Sequence, residues 1–149
     1  MKRDLDETDR AIIEQLQQDG RAPYTKLAAA VKLSEAAVRQ RVQRLIDSGT
    51  IQIVAVTNPM QVGYRRVAMI GISTLGPMGP IIEQLEEMDH IEYLIVTAGS
   101  FDLLCEVVVP DDSSLLTLIT AIRAVPGVRT TETFMYLDLV KQTFGWGAH

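Results

Sequence analysis

The sequence has few of the side chains from which catalytic and metal sites are built. It contains one cysteine, Cys105, and two histidines, His90 and His149, among 149 residues. A single cysteine cannot form an internal disulfide, and the apolar, strand-like neighbourhood of Cys105 predicts a buried thiol rather than a nucleophile. Neither histidine has nearby partners at metal-ligand spacing. The sequence therefore predicts no enzyme and no metal site.

Long apolar segments are absent as well. No run of about 18 apolar residues is available to span a bilayer, and the first residues, MKRDLDETD, are charged where a signal peptide would be apolar. There is also no glycine-rich phosphate loop. We expect a cytoplasmic protein without membrane contact. The 47% of hydrophobic residues is ample for one domain or two small ones.

Positive charge is concentrated in one segment of an acidic chain. The net charge is −5, yet residues 21–49 carry six basic side chains and only two acidic ones. A local basic patch of this kind suits a nucleic-acid contact, whereas the acidity of the remainder argues against indiscriminate adhesion to nucleic acid.

The basic segment has the pattern of two helices joined by a tight turn. An apolar stripe at spacings of three and four predicts a short helix that begins near Pro23, and Ser34 is placed to cap a second one. An earlier helix is predicted to begin at Asp6, whose carboxylate can cap it, and acids in its first turn such as Asp9 suit the positive end of the helix dipole. This helix is predicted to end at Gly20, in the left-handed conformation that closes helices. The buried stripe of the last helix is predicted to comprise Val38, Val42, Leu45 and Ile46.

The opposite face of this last helix carries small side chains at its start and polar or basic side chains further along. Two alanines would let its backbone approach the major groove of DNA, while arginine and glutamine reach phosphates or base edges. The alternative is an ordinary amphipathic helix with a solvated charged face. The candidate DNA-binding residues are Lys32, Ser34, Ala36, Ala37, Gln40, Arg41, Gln43 and Arg44.

After the helices the pattern changes to strands. The β-favouring run 51–57 could form a wing strand that leads into a linker. Further strands are predicted at 66–75, 91–98, 102–109 and 128–142, with helices at 81–88 and from Ser113 or Ser114 to Val125. This β-α-β-β-α-β order is the ferredoxin-like arrangement, in which a four-stranded antiparallel sheet carries both helices on one face.

The expected fold class is α+β, with a winged helix-turn-helix domain at 1–50, a wing and linker at 51–65 and a ferredoxin-like domain at 66–149. The predicted strands are apolar on both sides, so both faces of the sheet must be shielded from water by other parts of the protein or by a partner. A second copy of the same sheet is the most economical cover, and the sequence therefore predicts a homodimer. A dimer would also supply the two-fold pair of reading helices that a palindromic DNA site requires.

Three patterns of the sequence resemble those of the Lrp/AsnC, or feast/famine, transcription regulators. They are LDxxDxxIxxxLxxDGR at 5–21, LSxxxVxxRVxRLxxxGxI at 33–51 and GSFD at 99–102. The likeness extends from end to end, with the second half similar to the family's RAM domain. It implies a regulator that binds double-stranded DNA as a dimer and assembles further, typically into octamers. It also implies an amino acid or related metabolite, bound between dimers, that alters assembly or DNA affinity, with no other cofactor.

The resemblance further implies where this effector binds. The charged end of the ligand should lie at the loop 97–102. There Gly99 lets backbone N–H groups approach a carboxylate, and Asp102 can counter an ammonium group. The last strand of a facing subunit should contribute residues 134–136 to the same pocket. A zwitterion does need one anion, several N–H donors and an apolar wall, although Asp102 could equally be a plain turn residue. The candidate effector-binding residues are Thr97, Ala98, Gly99, Ser100, Phe101, Asp102, Phe134, Met135 and Tyr136.

Two positions depart from the family pattern. Lys32 stands where family members commonly have glycine, and a left-handed lysine would cost about 1–2 kcal/mol, part of which a phosphate contact could recover. Pro23 stands where a small polar cap is common. Two alternatives to a sequence-specific regulator also remain open: an amino-acid-sensing module that acts on another protein, and a nucleoid-organising protein with little sequence preference.

Overall fold

The structure is a computed structural model that describes residues 5–143. The chain divides into two compact units, one formed by the segments up to Val56 and from Lys141 onward, the other by Thr57–Val140. This division falls inside the segment 51–65 that the sequence assigns to a wing and linker. The predicted outer bounds at residues 1 and 149 lie outside the described residues. None of the helices in the described part is long and apolar enough to cross a membrane.

The described part of the first unit contains three helices: α1 (Glu7–Gln18), α2 (Tyr24–Val31) and α3 (Glu35–Asp47). Both predicted caps are confirmed. The Asp6 carboxylate accepts from the backbone N–H of Asp9 at 2.7 Å, and the Ser34 hydroxyl accepts from that of Ala37 at 3.2 Å, each satisfying a donor that the first helical turn leaves free. One apolar core joins the three helices, and its most buried members are Ile12, Leu27, Val38, Val42 and Leu45.

Three sequence predictions in this unit are wrong. The first helix does not end at a left-handed glycine: it ends at Gln18, the cap Asp19 is extended at φ −147° and ψ 97°, and Gly20 does not have positive φ. Ile46 is 37% exposed, because it lies about 100° around α3 from Leu45 and so turns away from the core.

The third wrong prediction concerns the wing strand. Within the described residues, 51–57 forms no β-strand, although Ile51 still donates from its backbone N–H to the carbonyl of Leu45 at 3.2 Å. A strand needs a neighbouring strand to pair with its N–H and C=O groups. The β-favouring composition of this segment finds no such neighbour in the described chain.

The second unit is built on four strands and two helices. They are β1 (Arg66–Thr74), α4 (Gly79–Glu86), β2 (Ile91–Val96), β3 (Leu103–Val109), α5 (Asp112–Ala124) and β4 (Val128–Met135), preceded by a short 3₁₀ turn at Pro59–Val62. The strands form one antiparallel sheet in the order β2-β3-β1-β4. The predicted α+β, ferredoxin-like architecture is confirmed.

Several boundaries differ from the prediction for local physical reasons. The cap of α5 is Asp111 rather than Ser113 or Ser114: its side chain accepts from the backbone N–H of Ser114 at 2.8 Å, and this bond lowers the pKa of Asp111. The last strand ends at Met135 instead of 142. Met135 pairs with Ala68, near the start of β1, and beyond that point β4 soon has no partner left.

One face of the sheet packs against both helices. Inward side chains of β1 and β3, including Ile70 and Cys105, meet Ile81 and Leu85 of α4 and Ile122 of α5. Cys105 is fully buried, and desolvation raises its pKa to about 11. The thiol therefore stays protonated at neutral pH, and the predicted buried cysteine is confirmed.

The opposite face has no helix on it within the described residues. Tyr93 and Phe134 are 54% and 45% exposed there. By strand alternation this face consists of Val67, Met69, Gly71, Tyr93, Ile95, Leu104, Glu106, Val108, Glu132 and Phe134, and we call it the open sheet face. Its polar groups are partly paired, since the Tyr136 hydroxyl donates to Glu106 Oε1 at 2.7 Å. Burial and then this carboxylate raise the pKa of Tyr136 to about 12.

Lys32 caps the C-terminal end of α2, at a position where the resemblance described above leads us to expect glycine. It has φ 54° and ψ 41°, the left-handed conformation. Its backbone N–H closes the helix on the carbonyl of Ala28, so the strained geometry is what allows the chain to turn from α2 into α3. The conditional expectation of a left-handed lysine is confirmed.

Replacement of Lys32 by glycine should stabilise the protein. Lys32→Gly removes the Cβ that clashes in the left-handed region, and we expect the free energy of unfolding to rise by about 1 kcal/mol. Urea unfolding followed by far-ultraviolet circular dichroism measures this. Lys32→Ala is the matched control, because it removes the same ammonium group and keeps the Cβ. Equal stability of the two variants would show that the turn stores no such strain.

Candidate functional site

The candidate DNA-binding residues all lie on α3 or on the turn that leads into it. Lys32, Ser34, Ala36, Gln40, Gln43 and Arg44 are exposed, whereas Ala37 and Arg41 are half-buried. The capped N-terminal turn presents only small side chains, so its backbone is accessible to a large partner. Together with Leu33, Arg39, Asp47 and Ser48, the α3 residues of this set line a shallow concave surface.

Some of these side chains already have partners inside the protein. The Ser34 hydroxyl is engaged in the cap of α3, and Gln43 Nε2 donates to Asp47 Oδ1 at 2.8 Å, one turn further along the helix. Arg39 is paired with Glu35 at 3.0 Å and lies over the ring of Tyr24 at 4.5 Å. In the described residues, Lys32 and Gln40 have no side-chain hydrogen bond.

Arg41 and Arg44 are held by α1, which the sequence reasoning did not foresee. Arg41 Nη1 lies 2.7 Å from both Asp6 Oδ2 and Asp9 Oδ1, and Arg44 Nη2 lies 2.9 Å from both carboxylate oxygens of Asp9. The bond to Arg41 is the main reason why the pKa of Asp6 lies below its usual value. The sequence assigns these acids to the cap and dipole of α1, and only the packing of α1 beside α3 shows their second role.

The loop 97–102 connects β2 to β3 and is closed by its own hydrogen bonds. Thr97 donates from its backbone N–H to the carbonyl of Asp102 at 2.9 Å and from its hydroxyl to that of Phe101 at 2.5 Å. The backbone N–H of Asp102 donates to the carbonyl of Ile72 at 3.0 Å. In the described residues, the N–H groups of Gly99 and Ser100 have no protein acceptor. The tip of the loop therefore presents free donors.

Asp102 has a structural role in the fold. Its Oδ2 accepts from the backbone N–H of Thr74 at 2.6 Å and from the Thr74 hydroxyl at 3.1 Å. One carboxylate oxygen thus fixes the loop to the end of β1. Within residues 5–143 the other oxygen, Oδ1, accepts no protein hydrogen bond.

Phe101 connects this loop to the open sheet face. A Cβ built on Gly71 would lie 2.6 Å from the Phe101 ring, so the ring fits only because residue 71 is glycine. The same ring meets Phe134 edge to face, with centroids 6.1 Å apart. Phe134 is thereby brought to the loop, whereas Met135 alternates to the helix side and Tyr136 bonds to Glu106. Sequence reasoning did not single out Gly71, and nothing in its local pattern distinguishes it.

A helical unit with an exposed, capped reading helix and a ferredoxin-like unit with a donor-rich loop define a class of protein: DNA-binding regulators that carry a small-molecule domain. Two family models match this chain. The AsnC-type helix-turn-helix domain covers residues 5–46, and the Lrp/AsnC ligand binding domain covers residues 67–146. The chain belongs to the Lrp/AsnC family of transcriptional regulators.

Relatives match along nearly the whole chain. An uncharacterised HTH-type transcriptional regulator of Pyrococcus abyssi is 35% identical over 146 residues, which cover 96% of this chain and 90% of the relative. The solved structure of the leucine response regulatory protein of Mycobacterium tuberculosis superposes with a TM-score of 0.84 at 32% identity, covering 93% of this chain and 96% of that one. A feast or famine regulatory protein of the same organism, complexed with L-methionine, has the same TM-score, identity and coverage.

Addition of a methyl group at residue 71 should dislodge the loop 97–102. In Gly71→Ala the new Cβ would overlap the Phe101 ring, which must leave β1 and lose its contact with Phe134. We expect a loss of about 1–3 kcal/mol in the free energy of unfolding, measurable by urea denaturation. Gly99→Ala is the control, because a Cβ at residue 99 would meet nothing within 4 Å. Equal stability of the two variants would contradict the wedged arrangement of Phe101.

Proposed function

We propose that this protein regulates transcription by binding specific DNA sites through α3, and that an amino acid or related metabolite at the loop 97–102 changes its assembly or its DNA affinity. The observation that carries the DNA half is the surface of α3. In its capped first turn the small side chains of Ala36 and Ala37 let the helix backbone come close to a DNA groove. Its next turns carry Gln40, Gln43 and Arg44, which can reach base edges or phosphates.

The effector half is supported by the chemistry of the loop. A free amino acid carries a carboxylate and an ammonium group, and both need partners in the same pocket. The N–H groups of Gly99 and Ser100 suit the carboxylate, and Asp102 Oδ1 suits the ammonium group while Oδ2 continues to hold Thr74. Phe101 and Phe134 would form an apolar wall for the side chain of the ligand. The relative solved with L-methionine has a ligand of this chemical class.

The open sheet face supports a homodimer. Apolar side chains such as Met69, Ile95 and Leu104 lie on it beside the exposed rings of Tyr93 and Phe134. A second copy of the same face would remove them from water and would present two reading helices to a two-fold DNA site. Assembly of such dimers into octamers, with the effector between dimers, completes the proposal. A regulator that reads genomic DNA must reach the genome, and we propose that this one acts in the cytoplasm.

The DNA and effector halves can be tested together. The purified protein is titrated with the DNA upstream of its own gene at two salt concentrations, alone and with each of the twenty amino acids. We expect specific binding that one amino acid or a small group of them shifts. Arg44→Ala should weaken the specific complex about tenfold or more. Arg39→Ala, the control on the same helix, should have a smaller effect because Arg39 lies over the ring of Tyr24 and is not among the candidate DNA-binding residues.

The same titration separates the alternatives. Steeply salt-dependent binding with almost no preference for sequence would favour a nucleoid-organising protein. An effect of an amino acid without any DNA binding would favour a sensing module that acts on another protein. Binding that is indifferent to Arg44 would contradict the role proposed for α3.

A charge on the open sheet face should separate the dimer. Ile95→Glu places a carboxylate among apolar side chains on that face, and its burial in a dimer would leave it unpaired. We expect a shift to monomer in multi-angle light scattering, with an unchanged circular dichroism spectrum. Leu116→Glu is the control, because Leu116 is 66% exposed on α5, a helix packed on the other side of the sheet. A dimer that survives Ile95→Glu would place the interface elsewhere.

A further inference from the structure

Asp9 is the buried charged residue of the described chain, with 4% of its surface exposed. It lies in the first turn of α1, three positions after the cap residue Asp6. A buried carboxylate is costly unless charged donors surround it. Asp9 meets that condition through the two arginines of α3, since within residues 5–143 its side chain is paired with Arg41 and Arg44.

The geometry of this cluster leaves part of Arg44 unused. One nitrogen, Nη2, bonds to both oxygens of Asp9 at 2.9 Å. Nε and Nη1 have no acceptor among residues 5–143, and the side chain is 46% exposed. Arg41 is more enclosed, with 26% of its side chain exposed and one nitrogen shared between Asp6 and Asp9. Arg44 is therefore anchored at one nitrogen and open at the others.

Anchoring has two consequences for DNA binding. A free arginine loses rotamer freedom when it binds, whereas one already held in place loses less, which is the advantage of preorganisation. The cluster also brings two carboxylates to two guanidinium groups and is neutral overall, so it adds little to the general attraction between a basic patch and phosphates. Both effects favour a particular DNA sequence over DNA in general.

We propose that Asp9 is a positioning residue for DNA recognition: it fixes the guanidinium of Arg44 toward its base or phosphate partner and, with Asp6, offsets charge that would otherwise support non-specific binding. This inference rests on the proposed DNA-binding function. It assigns to α1, which lies outside the reading surface, a part in the specificity of α3.

The test is the Asp9→Asn variant. The wild-type protein is first used to select its preferred site from a pool of random duplexes. Affinity for this site and for an unrelated duplex is then measured over a range of salt concentrations, at a temperature where circular dichroism shows each variant folded. Glu35→Gln is the matched control: it removes one negative charge from an ion pair on the same helical unit, and that pair lies wholly within α3.

For Asp9→Asn we expect tighter binding to the unrelated duplex and a plot of log affinity against log salt that is steeper by about one. The preference for the selected site should fall about tenfold, because Arg44 is no longer held in one orientation. In an Arg44→Ala background, Asp9→Asn should cause little further loss of preference. The control should retain the wild-type preference.

A purely structural Asp9 would give a different pattern. Asp9→Asn would then lower the melting temperature while its site preference and salt dependence matched those of Glu35→Gln, and this result would overturn the proposal. If Asp9→Asn does not fold, Asp9→Glu serves instead: it keeps the charge but moves the carboxylate by one methylene. For Asp9→Glu we expect the plot of log affinity against log salt to keep its wild-type slope while the preference for the selected site falls. An undiminished preference for that site would overturn the proposal.

A wild-type protein that selects no sequence at all would refute the proposed function itself. That outcome is distinct from selection by the wild type that Asp9→Asn leaves intact, which would refute the role of Asp9 alone.

Discussion

The main constraint on this protein is a four-stranded sheet that is largely apolar on both faces and that, within residues 5–143, has helices on only one of them. Ile70 of β1 points into the helical side and is fully buried, while its neighbour Met69 points to the open sheet face. Apolar area left in water is unfavourable by about 25 cal/mol per Å², so the open sheet face favours a second copy of the chain. The proposed homodimer, and with it the proposed pair of reading helices, depends on this uncovered surface.

The loop 97–102, the proposed effector site, adjoins the same surface. Asp102 fixes one end of the loop to β1 through Thr74, and Phe101 lies over Gly71 and against Phe134. A ligand that displaced the Phe101 ring would change the shape of the open sheet face beside the loop. If subunits meet on that face, as proposed, ligand and assembly would act on the same side chains, and this would be a direct physical route from one to the other.

The reading helix shows how far local sequence reasoning extends. The cap Ser34 and the buried Val38, Val42 and Leu45 follow from spacing and residue type, because a helix sets these features within one or two turns of chain. The left-handed Lys32 was expected only from the resemblance to the family. The ion pairs of Arg41 and Arg44 with Asp6 and Asp9 join residues more than thirty positions apart. Spacing along α3 could place these arginines on a face but could not show that α1 holds them.

The sequence by itself determined the order of helices and strands, the antiparallel α+β architecture, the buried Cys105 and the location of the basic segment, because hydrophobic periodicity and charge are local properties of the chain. Only the tertiary structure decided the shortened β4, the unpaired segment 51–57, the close fit of Phe101 on Gly71 and the burial of Asp9. Each of these depends on which distant residue becomes a neighbour, and a strand, a ring contact or a buried charge is stable only when that neighbour is present.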